Sequence, residues 1–185
     1  MLVVAFNFSI AQNFINGSFE NNTAVVNQIN LGNAAFNGFM ANTNSYGTTP
    51  NLDIIRTNTW GGGFAQHCTW YVALTGSGTD AMNMQLTAPL VTGNTYTISY
   101  WDRKDGAWPG FPVQIGVSTN NNSIGTVVYT APVGATTNVW TQRTFTFVAP
   151  NNGQWISVIQ NAGNTQTWIH VDNFVMSNQT ATGGL

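Results

Sequence analysis

The chain alternates apolar and polar residues over many short stretches, each closed by turn residues. In "NTYTISYWD", Tyr96, Ile98 and Tyr100 alternate with Thr95, Thr97, Ser99 and Trp101, the period of two that gives a strand one buried face. The same period recurs with Val113, Ile115 and Val117 in "FPVQIGVST", Phe145 and Phe147 in "TQRTFTFVAP", Ile156 and Val158 in "QWISVIQN", and Ile169 and Val171 in "TWIHVDNFVM". "MNMQLTAPLVTG" adds Met82, Met84 and Leu86. Between these runs stand "TGSGTD", "VTGN", "STNNNS", "APVGATTN", "APNNGQ" and "NAGN", all rich in residues that favour turns. After residue 12 no stretch sustains a helical period; "NQINLGNAAFNGFM" comes nearest and is broken by glycines. Short strands at roughly ten-residue spacing predict an all-β, antiparallel sandwich or barrel.

The length of 185 residues suits one domain with a sizeable core. Only four Lys+Arg and six Asp+Glu are present, with a net charge of -2. That excludes an electrostatic case for nucleic acid, whose backbone demands clustered cations. Solubility then rests on Asn, Thr, Gly, Ser and Gln. Such a surface suits an extracellular protein, or a subunit that packs against copies of itself, since net charge helps keep proteins apart.

Cys68 is the single cysteine, so no intrachain disulfide forms. It reads as a buried apolar filler before an intermolecular link. The opening "MLVVAFNFSIAQN" is too short to cross a membrane. It reads as the later part of a secretory signal peptide with cleavage after Ala11, or as a strand donated to a neighbour. The organisation expected is therefore a leader or strand over 1–12, a domain over 13–177 and a linker or tail over 178–185.

Three segments in this order, "NFINGSFE", "MNMQLTAPLVTGNTYTISYWD" and "TWIHVDNFVM", resemble carbohydrate-binding-module-like jelly rolls of secreted and cell-surface Bacteroidetes-type proteins. The resemblance spans roughly residues 13 to 177. It implies an antiparallel jelly-roll β-sandwich, no catalytic machinery, a secreted or cell-surface setting, and a role in glycan binding or adhesion without membrane insertion. Relatives of this kind often hold a structural calcium where the first and last strands meet, and the resemblance puts its carboxylates at Glu20 and Asp172. The chemistry is compatible: calcium takes six to eight oxygens from carboxylates and loop carbonyls, and Asp172 in an apolar strand is costly unless paired. The plainer reading is that Asp172 bonds a backbone turn and Glu20 is a solvated strand end. The same two acids do not make a hydrolase pair on sequence grounds, since no cleft is evident between them. His67 and His170 each stand alone.

Seven tryptophans change the picture further, because flat aromatic faces stack on sugar rings while nearby polar groups bond the hydroxyls. Several must instead fill the core. Alternation places Trp101 and Arg103 opposite the core face, and Trp168 and His170 likewise; Trp155 is ambiguous, Trp60 and Trp108 fall in loops, and Trp70 and Trp140 in the core or its rim. Four of the chain's ten charged residues gather in "YWDRKDGAWPG". Asp accepts from hydroxyls and Arg donates to them, so Trp101, Asp102, Arg103, Asp105 and Trp108 are the expected glycan-binding cluster. The competing reading is a salt-bridged turn in which Arg103 stacks on a tryptophan for the fold. The alternative function is a self-assembling structural subunit, supported by the low charge and strand edges without charged gatekeepers.

Overall fold

A computed structural model describes residues 12–59, 63–74, 78–106, 108–132, 134–161 and 165–178. The expected leader over 1–11, Trp60 and most of the tail lie outside them. The described residues form β1 (Gln28–Leu31), α1 (Asn33–Phe39), β2 (Thr43–Ser45), β3 (Leu52–Arg56), β4 (Trp70–Leu74), β5 (Thr79–Gln85), β6 (Thr95–Lys104), β7 (Gln114–Ser118), β8 (Thr126–Thr130), β9 (Thr141–Val148), β10 (Trp155–Asn161) and β11 (Ile169–Asn178). A six-stranded sheet in the order β1-β3-β4-β11-β6-β9 packs on a five-stranded sheet in the order β2-β5-β10-β7-β8. All pairings between these strands are antiparallel. The fold is the expected jelly-roll β-sandwich.

The period-two residues meet between the sheets. Tyr96, Ile98, Tyr100, Phe145, Phe147, Val171 and Met176 from one sheet face Met82, Met84, Ile115, Val117, Ile156 and Val158 from the other, all buried. At the corner where the two edge strands approach, Tyr129 of β8 stacks on Phe145 of β9 with centroids 4.0 Å apart. The helix α1 falls within the one stretch that came nearest to helical patterning, and it buries Phe36. Seven residues are short for a helix, and Gly38, where a side chain would meet nothing within 4 Å, adds the backbone-entropy cost of glycine.

The last strand carries an irregularity that the alternation did not foresee. Between Asp172 and Val175 the register of β11 against β6 shifts, and Asn173 takes φ 52°, a left-handed conformation that Asn tolerates. The extra residue restores Phe174 to the core side after Ile169 and Val171. Phe174 stacks on Tyr100 at 5.0 Å, and Phe14 and Phe19 pack against it at 5.8 and 6.1 Å. Its backbone N–H donates to the Gly17 carbonyl at 2.8 Å, and a Cβ at Gly17 would collide with the Phe174 carbonyl. The glycine of "NGSFE" is thus a close-approach residue. Truncating Phe174 to Ala should destabilise the domain by about 3–5 kcal/mol, read by urea unfolding. Val175→Ala, on the exposed side of the same strand, should stay within ~0.5 kcal/mol.

Candidate functional site

Part of the outer face of the six-stranded sheet is covered. Ile55, Tyr71 and Ala73 form a second buried cluster there, with Ala65, Trp140 and Trp168 packed against it. Arg103 and His170 face outward by alternation yet are 6% and 0% exposed. The Arg103 guanidinium lies 5.0 Å from the Trp140 ring centroid and 5.6 Å from that of Tyr71. Its Nε donates to His170 Nδ1 at 3.1 Å, and the Trp140 indole N–H ties the cover to the Phe64 carbonyl at 2.9 Å. Burial, with Arg103 beside it, pushes the His170 pKa well below its ordinary value, so the imidazole is neutral and accepts from Arg103. Burial likewise pushes the Tyr71 hydroxyl up to about 12.

The charged cluster of the sequence is dispersed by this arrangement. Asp102 continues the Tyr96, Ile98, Tyr100 row, so it points to the core side and is 2% exposed. Arg143 of β9 meets it there, Nε lying 3.1 Å from both carboxylate oxygens. Arg103 goes to the opposite face, and Trp101 stands half-buried beside Gln142 and Asp172 in register. Lys104 donates to the Trp108 carbonyl at 2.7 Å. Trp108 N–H donates to the Asp105 carbonyl at 3.4 Å, and Asp105 N–H to the Trp168 carbonyl at 3.3 Å. Of the five expected residues, then, Trp108 and Asp105 share one turn, while Trp101, Asp102 and Arg103 point elsewhere.

That turn forms one wall of a cleft of about 340 Å³, lined by Ile29, Asn30, Asp53, Trp108, Gln166, Thr167 and Trp168. β1 supplies Ile29 and Asn30, β3 supplies Asp53, and the segment before β11 supplies the last three. Asn30 at φ 55° turns its N–H onto Asp53 Oδ1 at 2.7 Å, while the Trp168 indole N–H donates to Oδ2 at 3.1 Å. Trp168 in turn sets its ring edge-on to His170 at 5.0 Å, so the Arg103–His170 pair backs the cleft's aromatic wall. The Thr167 hydroxyl, in a residue 1% exposed, has no hydrogen-bond partner within the protein. Burial pushes Asp53 up to about 7, with Asp80 adding to the rise and its two N–H donors opposing it. Two half-buried indoles around a small void, with Asp53 and the amide of Gln166 in its lining, can stack on a ring and bond its substituents. Trp108 was foreseen. Asp53 carried a faint signal, a lone acid inside the apolar run "LDIIR", whereas Asn30, Gln166 and Thr167 carried none.

Glu20 and Asp172 do converge, though not on the cleft. Both grip the segment that precedes β4: Glu20 Oε1 accepts from the N–H groups of Thr69 (2.9 Å) and Trp70 (2.8 Å), and Asp172 Oδ2 from that of His67 (2.9 Å). Asp172 Oδ1 accepts from Asn173 N–H at 2.6 Å. Burial pushes Asp172 up to about 8, and Glu20 adds to the rise. Cys68, expected as a buried filler, is exposed at φ 53° in this segment; the chain turns there to aim its N–H groups at the acids, which carries the thiol outward. Among the described residues no group of three or more His, Cys, Asp or Glu is placed to hold a metal.

No protein-family model and no curated protein sequence matches this chain. Solved structures do match in fold. TmCBM61, in complex with β-1,4-galactotriose, has a TM-score of 0.53 at 14% identity, over 89% of this chain and 97% of that one. The K2 cleaved adhesin domain of Lys-gingipain has 0.60 at 12%, over 88% and 97%. The CBM22-1 xylan-binding domain of Paenibacillus barcinonensis Xyn10C has 0.52 at 10%, over 92% and 94%. At these identities the likeness is one of fold: this chain has the β-sandwich of carbohydrate-binding modules and adhesin domains.

The raised carboxyls make stability depend on pH. Asp53 and Asp172 hold protons in the folded state at pH values where the unfolded chain, with carboxyls near 3.8, has lost them. The folded state therefore binds more protons, and stability falls as pH rises through about 7 to 8. His170, neutral when folded, opposes this only below its ordinary 6.5. In the presence of chelator, denaturant unfolding should show higher stability at pH 6.5 than at pH 8.5, with the difference reduced in Asp172→Asn; a profile that rises with pH over this window would contradict the assignment.

Proposed function

We propose that this protein is a non-catalytic carbohydrate-binding module acting outside the cell or on its surface, and that it binds glycan in the cleft between Trp108 and Trp168. The observation that carries the reading is the cleft itself: two half-buried indoles line it together with Asp53, Asn30 and Gln166. Indole faces supply stacking area, and the polar groups fix orientation. The carbohydrate ligands named for CBM61 and CBM22-1 support the same class of partner. Among the described residues no helix is long and apolar enough to cross a membrane. The self-assembling subunit draws no support from these neighbours.

Trp108→Ala and Trp168→Ala should each weaken binding to a glycan identified on an array by about tenfold or more. Trp101→Ala, on another part of the surface, should leave it unchanged. Affinity electrophoresis in polysaccharide gels reads both, and retention unaffected by either cleft variant would overturn the site.

Calcium beside Glu20 and Asp172 is part of the same proposal. Glu20 and Asp172 converge on one segment, and Glu20 adds to the burial that keeps the metal-free Asp172 protonated; a divalent cation would displace that proton and bind both carboxylates. A chelator should then lower the thermal midpoint by about 5–10 °C, as expected for loss of a ligand near one hundred times its Kd. An unchanged midpoint would remove calcium from the reading.

A further inference from the structure

We infer that the cleft selects sugars bearing a primary ammonium group, glucosamine-type units, over neutral and N-acetylated sugars of the same size. The inference rests on the cleft being the carbohydrate site, and it concerns what that site prefers.

Asp53 is the single ionisable residue among those lining the cleft. Both of its oxygens are held by neutral donors, the Asn30 backbone N–H and the Trp168 indole N–H. Asp102 pairs with Arg143 on the other side of the sheet, whereas the partners that hold Asp53 are both uncharged. A buried carboxylate without a countercharge is costly, and the nearby Asp80 makes it more so. The rise of the Asp53 carboxyl to about 7 reports that cost.

A ligand that brings its own positive charge supplies what the cleft lacks. Its ammonium gains from the field of Asp53, which is 1% exposed and so interacts through a medium less polar than bulk water. Acetylation of the amine removes that charge. Sugars bearing carboxylate or sulfate meet a like charge and no cation in the lining.

The test is calorimetric titration of the whole chain at pH 7 with glucosamine oligomers and with N-acetylglucosamine oligomers of equal length. The glucosamine series should bind at least tenfold more tightly, and raising salt from about 0.05 M to about 0.5 M should reduce that preference. In Asp53→Asn, which keeps the side-chain volume and removes the charge, the preference should vanish. The salt dependence of the unmodified protein gives the answer even if that variant fails to fold. Equal binding of the two series, tighter binding of the acetylated one, or a preference that survives in Asp53→Asn would overturn the inference. Trp108-dependent binding of neutral glycans alone would overturn the selectivity and leave the site standing. Absence of binding to any glycan would overturn both.

Discussion

The burial of Arg103 is the constraint on which the outer layer depends. A guanidinium cannot be left dry without partners, and here the partners come from every side: His170 accepts from it, and Tyr71 and Trp140 face it with their rings. Gathering them turns one face of a sheet, which in many sandwiches is simply wet, into a second packed layer. The cleft is a by-product of that layer's edge. Trp168 leans on His170 and points its N–H at Asp53, so the ring that walls the cleft is positioned by a pair that never enters it. A preorganised aromatic wall of this kind binds without first giving up side-chain freedom.

A second load passes through Phe174. The bulge at Asn173 sets this ring against Tyr100, Phe14 and Phe19 and leaves Asp172 on the other side, aimed at the segment before β4. One local irregularity thereby fixes both the aromatic centre of the core and the acid that fastens the covering segment. The residues of "NGSFE" and "HVDNF" meet because Gly17 has no side chain to keep the two backbones apart.

The strands and the core were legible because period-two patterning is local. Tyr96, Ile98 and Tyr100, or Ile156 and Val158, state their face within five residues. Carried one step further, the same rule sends Asp102 inward, but a carboxylate in that position makes sense only once Arg143 is known to lie alongside, and strand order is not written in local pattern. His170 and Arg103 were assigned the correct face, and the reading of Arg103 stacked on a tryptophan holds at Trp140, but which residues cover them was not legible, since 63–65 and 140 lie far along the chain. The cleft was half visible. A tryptophan in a turn rich in glycine and proline advertises a surface role, whereas Asn30 and Thr167 matter only through where β1 and the approach to β11 bring them. The charged run between two tryptophans was a real signal of an unusual place, but Asp102, Arg103 and Lys104 serve three separate partners, Arg143, His170 and the Trp108 carbonyl.

The position of β11 has a consequence for synthesis. This strand, the last in the described chain, lies near the middle of the six-stranded sheet, hydrogen-bonded to β4 on one side and β6 on the other. A nascent chain that has not yet delivered residues 169–178 holds two half-sheets, each with an open edge, and lacks Phe174 at the centre of its core. Folding of this sandwich is therefore gated by the arrival of residues 169–178 rather than spread along the strands before them, and a product that stops short of β11 exposes the template-like edges that invite aggregation.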